Sequence, residues 1–171
     1  MRKSNLQEIA LDNSTDAPSL IARTKKEAIN ILESGGKVLN LHEFNDSFPV
    51  MYSAVKKDGR KLSLCSDRLK KNKKLVYAAI LSYGGAIYFA HPMYMQDQVA
   101  IKYAFINGEG DLSLQDFDER FSKDYTIAFF AAKDKEKELE NVDSSLRNDK
   151  GFMDAINSEH SHTHRFTKKV V

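Results

Sequence analysis

The sequence predicts an all-α fold, a helical repeat array of α-solenoid-like character with five to six units of about 25 residues. Three recurrences predict it. A triplet of apolar or small residues at helical spacing returns as Ala28, Ile31, Leu32; Met51, Ala54, Val55; Val76, Ala79, Ile80; Ile101, Ala104, Phe105; Ala128, Ala131, Ala132; and Phe152, Ala155, Ile156. The central positions advance by 23, 25, 25, 27 and 24 residues. Eight residues after each centre comes an apolar anchor (Leu39, Leu62, Ile87, Leu112, Leu139), until the sixth unit reaches Thr163. Twelve residues after it comes a polar residue able to start another turn: Glu43, Ser66, His91, Asp116 and Asp143.

Taken in order, residues 1–16 have no sustained period and read as an N-terminal arm, followed by a repeat domain over 17–157 and a flexible tail containing His and Lys over 158–171. Thr24 and Glu27 have capping-box spacing and predict a first helix that stops at Gly35 and Gly36. Pro49 can open the second helix, because proline fits the first helical turn. In the third, Val76, Ala79, Ile80 and Tyr83 fall at i, i+3, i+4 and i+7, and Gly84 and Gly85 are expected to end it through positive φ. Asp97 and Asp124 are the predicted N-caps of the fourth and fifth helices. Glu136 stands where other units place glycine, so the fifth helix is expected to run on or end less sharply. Each unit should be a helix of about ten residues followed by one or two short turns.

Composition bounds the function. The 171 residues, 42% hydrophobic and 29% charged, suit one domain with a core and a charged surface. No signal-peptide pattern follows Met1, and no apolar run approaches the roughly 20 residues that span a bilayer. The reading is therefore a cytoplasmic protein, or one exported by a signal-peptide-independent route. Cys65 is the one cysteine, which excludes an intrachain disulfide and a cysteine-rich zinc site. The net charge of +2 conceals segregation: nine basic residues against Asp58 and Asp67 between Lys56 and Lys74, then an acidic excess between Glu109 and Asp149.

The units Val50 to Gly59, Leu62 to Leu69 and Ala86 to Ala90 before Asp97 resemble the short helical repeats of the domain of unknown function 4116 family, over roughly Lys25 to Asn157. The resemblance implies an all-helical repeat module found in intracellular bacteria and some protists and often read as part of secreted effectors, and with it delivery into a host cell by that signal-peptide-independent route. It brings no catalytic residues.

No residue constellation names a reaction, and the expectation is a protein that is not an enzyme and needs no cofactor. His160, His162 and His164 are weak metal candidates, since imidazoles two apart converge on one ion only along an extended backbone. A basic tail is the plainer reading. Cys65 occupies the place of Ala90 in the next unit and reads as a small core residue. The glycine pairs follow helices, opposite to a phosphate-binding loop. The function expected is protein–protein interaction, with candidates Lys56, Lys57, Arg60, Lys61, Lys70, Lys71, Lys73, Lys74, Tyr83, Tyr88 and Tyr94. Nucleic acid or anionic lipid is the alternative partner for the basic segment.

Overall fold

The computed structural model describes residues 18–108, 110–133 and 135–167, with side chains to residue 158. The arm expected over 1–16 lies outside the described residues. Among the described residues the architecture is all-α apart from one two-residue strand pair. Strand β1 (Ser19–Leu20) precedes helix α1 (Lys25–Glu33), and β2 (Lys37–Val38) returns parallel to it, pairing Ser19 with Lys37 and Leu20 with Val38. Then come α2 (Phe48–Lys57), α3 (Asp67–Lys70), α4 (Lys73–Ser82), α5 (Gln98–Asn107), α6 (Tyr125–Ala132), α7 (Ser144–Arg147) and α8 (Lys150–Thr167). Short 3-10 segments join them, as at Gly59–Leu64, Gly84–Phe89 and Pro92–Gln96.

The helices begin where polar side chains meet orphan amides. Thr24 Oγ1 accepts from Glu27 N, and Glu27 reaches back to Arg23 N, one residue before the cap. Asn72 caps α4, while Asp97 and Asp124 cap α5 and α6, each accepting from two amides. Ser66, His91 and Asp143 start the shorter turns as expected. Their backbone N–H groups also donate to the preceding unit, at Asn45 O, Lys70 O and Ser122 O. In the fourth unit the cap is Asp118, not Asp116, because that unit holds two extra residues. Glu43 lies inside the 3-10 segment Leu41–Phe44, where its carboxylate accepts from Asn40.

The main helices pack in chain order, α1 on α2, α2 on α4, α4 on α5, α5 on α6 and α6 on α8. The recurring triplets supply that core. Met51, Val55, Val76, Ala79, Ile80, Ile101 and Ala104 are fully buried, as are the anchors Leu62 and Ile87. Small central alanines let consecutive helices approach, and the larger neighbours fill the spaces beside them.

Four expectations are corrected. Leu39 is 60% exposed, since residues 37–38 form a strand whose alternation turns Val38 inward and Leu39 out. Gly84 and Gly85 do not adopt positive φ; among the described glycines Gly35, Gly108 and Gly110 do. Helix α4 ends through extended backbone at Tyr83, and Gly85 serves close approach instead, since a Cβ there would meet the Tyr83 ring at 2.8 Å. A Cβ on Gly59 would strike the Ala79 carbonyl, and one on Gly110 would come within 2.7 Å of Gly85 N. Helix α6 is eight residues long, shorter than α2, α4 and α5 at ten. Polar contacts replace the missing glycine there: Glu138 accepts from Ser113 Oγ and Leu114 N, and Lys135 Nζ donates to Leu112 O. Finally, helix α8 continues to Thr167, so residue 157 falls inside a helix and is not where helical backbone ends.

Candidate interaction surface

Because the central alanines Ala54, Ala79, Ala104 and Ala131 are all buried, residues five before, one before and two after each centre lie on the opposite, outer side of their helices. These positions read Pro49, Ser53, Lys56 on α2; Lys74, Ala78, Leu81 on α4; Val99, Tyr103, Ile106 on α5; and Thr126, Phe130, Lys133 on α6. None of the twelve is acidic. Leu81, Val99, Tyr103 and Ile106 are between 41% and 58% exposed. On α5 they follow i, i+4, i+7, the spacing that normally faces a core, here turned to solvent.

Lysines border this stripe and are held by aromatic rings. Lys56 Nζ and Lys74 Nζ stand 5.8 and 5.2 Å from the Tyr52 ring centre, and Lys73 Nζ stands 5.3 Å from that of Tyr77. Tyr77 packs edge-on to Tyr103 at 6.1 Å, which ties α4 to α5 beneath the exposed residues. Its hydroxyl donates to Asp97 Oδ2, and burial together with the Asp97 charge pushes it up to about 12. The two cap carboxylates nearest the face are therefore engaged: Asp97 with Tyr77, and Asp124 with Gln98 and with Lys102 at 3.0 Å.

The expected site residues divide. Lys56, Lys73 and Lys74 meet around Tyr52 and Tyr77, and Lys57 and Lys71 are exposed. Arg60 and Lys61 both pair with Asp58, and the Arg60 guanidinium covers the Tyr83 ring at 4.2 Å, so Tyr83 is half-buried and occupied. Lys70 lines a separate open cleft of about 390 Å³ with Ser63, Asp67, Tyr88, Phe89, His91 and Pro92. The Tyr88 ring stacks on Phe117, and its hydroxyl donates to Asp116. Burial and that carboxylate raise the hydroxyl above its ordinary range. Tyr94 is a correction: only 2% exposed, with its hydroxyl bonded to Lys71 O, it belongs to the core and offers no anchor.

Cys65 is buried, and desolvation pushes its thiol up to about 12, the opposite of a reactive thiolate. His160, His162 and His164 fall on the helical backbone of α8, which is not the extended backbone their convergence requires; their side chains lie outside the described residues. Among the described residues no group of three His, Cys, Asp or Glu is placed to share a metal ion. No helix among them is long and apolar enough to cross a membrane.

Sequence reasoning missed Leu81, Val99 and Ile106 as surface residues. The signal was present: α4 and α5 carry more apolar residues than one buried face consumes, Leu81 on α4 and Val99 and Ile106 on α5 falling outside the buried triplets.

Among known proteins, residues 50–95 match the family model described as a domain of unknown function (DUF4116). The matched segment runs from the start of the α2 core through the turn after α4, and so contains the Tyr52, Lys56, Lys73 and Lys74 cluster, Leu81 and the Lys70 cleft. No curated protein and no solved structure matches the chain.

Proposed function

We propose that this chain, which carries a match to the domain of unknown function DUF4116, is a non-enzymatic helical-repeat module that binds another protein. The carrying observation is the exposed apolar stripe at equivalent positions of α4 and α5, with Leu81, Val99, Tyr103 and Ile106 at its centre. Repeat arrays suit such a role because each unit adds the same face to the last, building an extended surface without a deep reaction pocket. Chain-order packing and a period of about 25 residues support the array itself. Following the family resemblance, the role extends to a secreted bacterial effector, or part of one, whose partner is a host protein.

The test is crosslinking capture from host-cell and bacterial lysates with the intact chain and with a Leu81→Asp, Ile106→Asp double variant. The expected outcome is a protein held by the wild type, lost by the variant, and drawn from the host lysate. Equal capture by both chains overturns the reading.

A second reading, binding of nucleic acid or anionic lipid, is favoured by the exposure of Lys56, Lys57, Lys71, Lys73 and Lys74. Titration with RNA and with anionic vesicles at two salt concentrations decides it: absence of binding at low salt removes it.

A further inference from the structure

Resting on that interaction reading, we propose that the partner element received by the α4–α5 face is an acidic amphipathic helix. Its apolar side chains seat against Leu81, Val99, Tyr103 and Ile106, and its carboxylates meet Lys56 and Lys74.

The secondary structure of the face selects a helix. Between residues 41 and 158 no strand is described, so no sheet edge offers N–H and C=O groups to an extended peptide. A ligand helix satisfies its own backbone and needs only side-chain complementarity. The i, i+4, i+7 row on α5 forms a ridge, and on α4 the small Ala78 lies between Lys74 and Leu81. A small residue flanked by larger ones is what lets another helix approach closely.

Charge selects the sign. None of the twelve face positions is acidic, and three are lysine. Of the neighbouring carboxylates, Asp124 is offset by Lys102 at 3.0 Å, while Asp97 keeps its charge and is turned to its own helix amides and the Tyr77 hydroxyl. Lys56 and Lys74 converge on one ring, Tyr52, so two ammonium groups from different helices are offered at one place beside the apolar stripe. These two ammonium groups set the sign at that place, and a helix with glutamates or aspartates flanking its apolar row complements them, whereas a basic helix is repelled. The apolar stripe then supplies most of the affinity, and the lysines orientation and partner choice.

The experiment selects helix-length peptides from a displayed random library on the intact chain and measures the recovered peptides by fluorescence anisotropy. The expected pool is rich in Asp and Glu, with apolar residues at i, i+3 or i+4, and i+7. Ile106→Ser should weaken the selected peptides by about tenfold or more, as expected for a buried interface anchor, and Lys56→Glu with Lys74→Glu should do likewise. Met93→Ser, an exposed residue outside the twelve face positions, should leave binding unchanged. These are surface substitutions, and circular dichroism checks that each variant is folded. A basic or unpatterned pool, peptides insensitive to both variants, or binding to phosphatidylserine vesicles that the selected peptides do not displace overturns the acidic helix. If the selection fails while lysate capture still depends on Leu81 and Ile106, the interaction module stands and its acidic partner falls. If capture is also insensitive, both fall.

Discussion

Asp124 shows how much one side chain carries where two units meet. Its carboxylate accepts from Thr126 N and Ile127 N at the start of α6, and from Gln98 Nε2 and Lys102 Nζ of α5. Burial pushes its pKa up, but the Ile127 amide, Lys102 and Gln98 outweigh burial, and the group sits below the ordinary carboxylate value. A depressed folded-state pKa stabilises the fold above the unfolded value, near 3.9, and the stabilisation disappears as pH falls through the folded value. Asp124→Asn keeps a capping oxygen and removes the charge. The variant should be less stable than wild type at pH 7 by urea unfolding, and the gap should narrow as pH drops below about 4. A gap independent of pH would show that the charge contributes nothing.

At the scale of the element, the caps of α2 and α5 make opposite cases. Asp97 Oδ1 accepts from Val99 N and Ala100 N, while Oδ2 receives the Tyr77 hydroxyl of the neighbouring helix. Ser47 stands at the same place before α2, buried, yet its hydroxyl caps nothing and has no hydrogen-bond partner among the described residues. Asp97→Ala should therefore cost about 1–2 kcal/mol, whereas Ser47→Ala should lie within about 0.5 kcal/mol of wild type, because it removes a hydroxyl that gains nothing from burial. Chemical denaturation of both variants checks the contrast. Equal losses would mean that the cap position matters and its hydrogen bonds do not.

For the whole molecule, packing in chain order means that, among the described residues, α4 has main helices on both sides while α1 and α8 each pack against one main helix. In the repeat array proposed above, stability is a sum over adjacent interfaces, so opening should spread inward from the ends. Native-state amide exchange should find the slowest amides in α4 and α5, with α1 and α8 opening at lower free energy. Uniform protection from α1 to α8 would indicate a single cooperative core instead. The same arrangement accounts for the stripe. A helix in the row needs two flanks and an inner face for its neighbours, and α5 is apolar on the remaining outer side as well, leaving Val99, Tyr103 and Ile106 in solvent.

The sequence by itself determined that the fold is all-α, where the main helices lie, and that Asp97 and Asp124 cap them. Those properties are local: a triplet at helical spacing and an Asx residue before it act within four residues of chain. It also marked Ala54, Ala79 and Ala104 as inner positions, since a recurring small residue has meaning only against a neighbour. Tertiary structure decided the rest, because each remaining case depends on atoms distant in sequence. Gly59 has no meaning within its own unit and proves to be a place where the Ala79 carbonyl leaves no room for a methyl group. Leu39 looked like a core anchor until pairing with Leu20 and its neighbours made residues 37–38 a strand. Tyr94 looked free until its hydroxyl met Lys71 O. The outer face, finally, exists only once α4 and α5 lie side by side, since no single helix reveals which of its two apolar sides the neighbours leave uncovered.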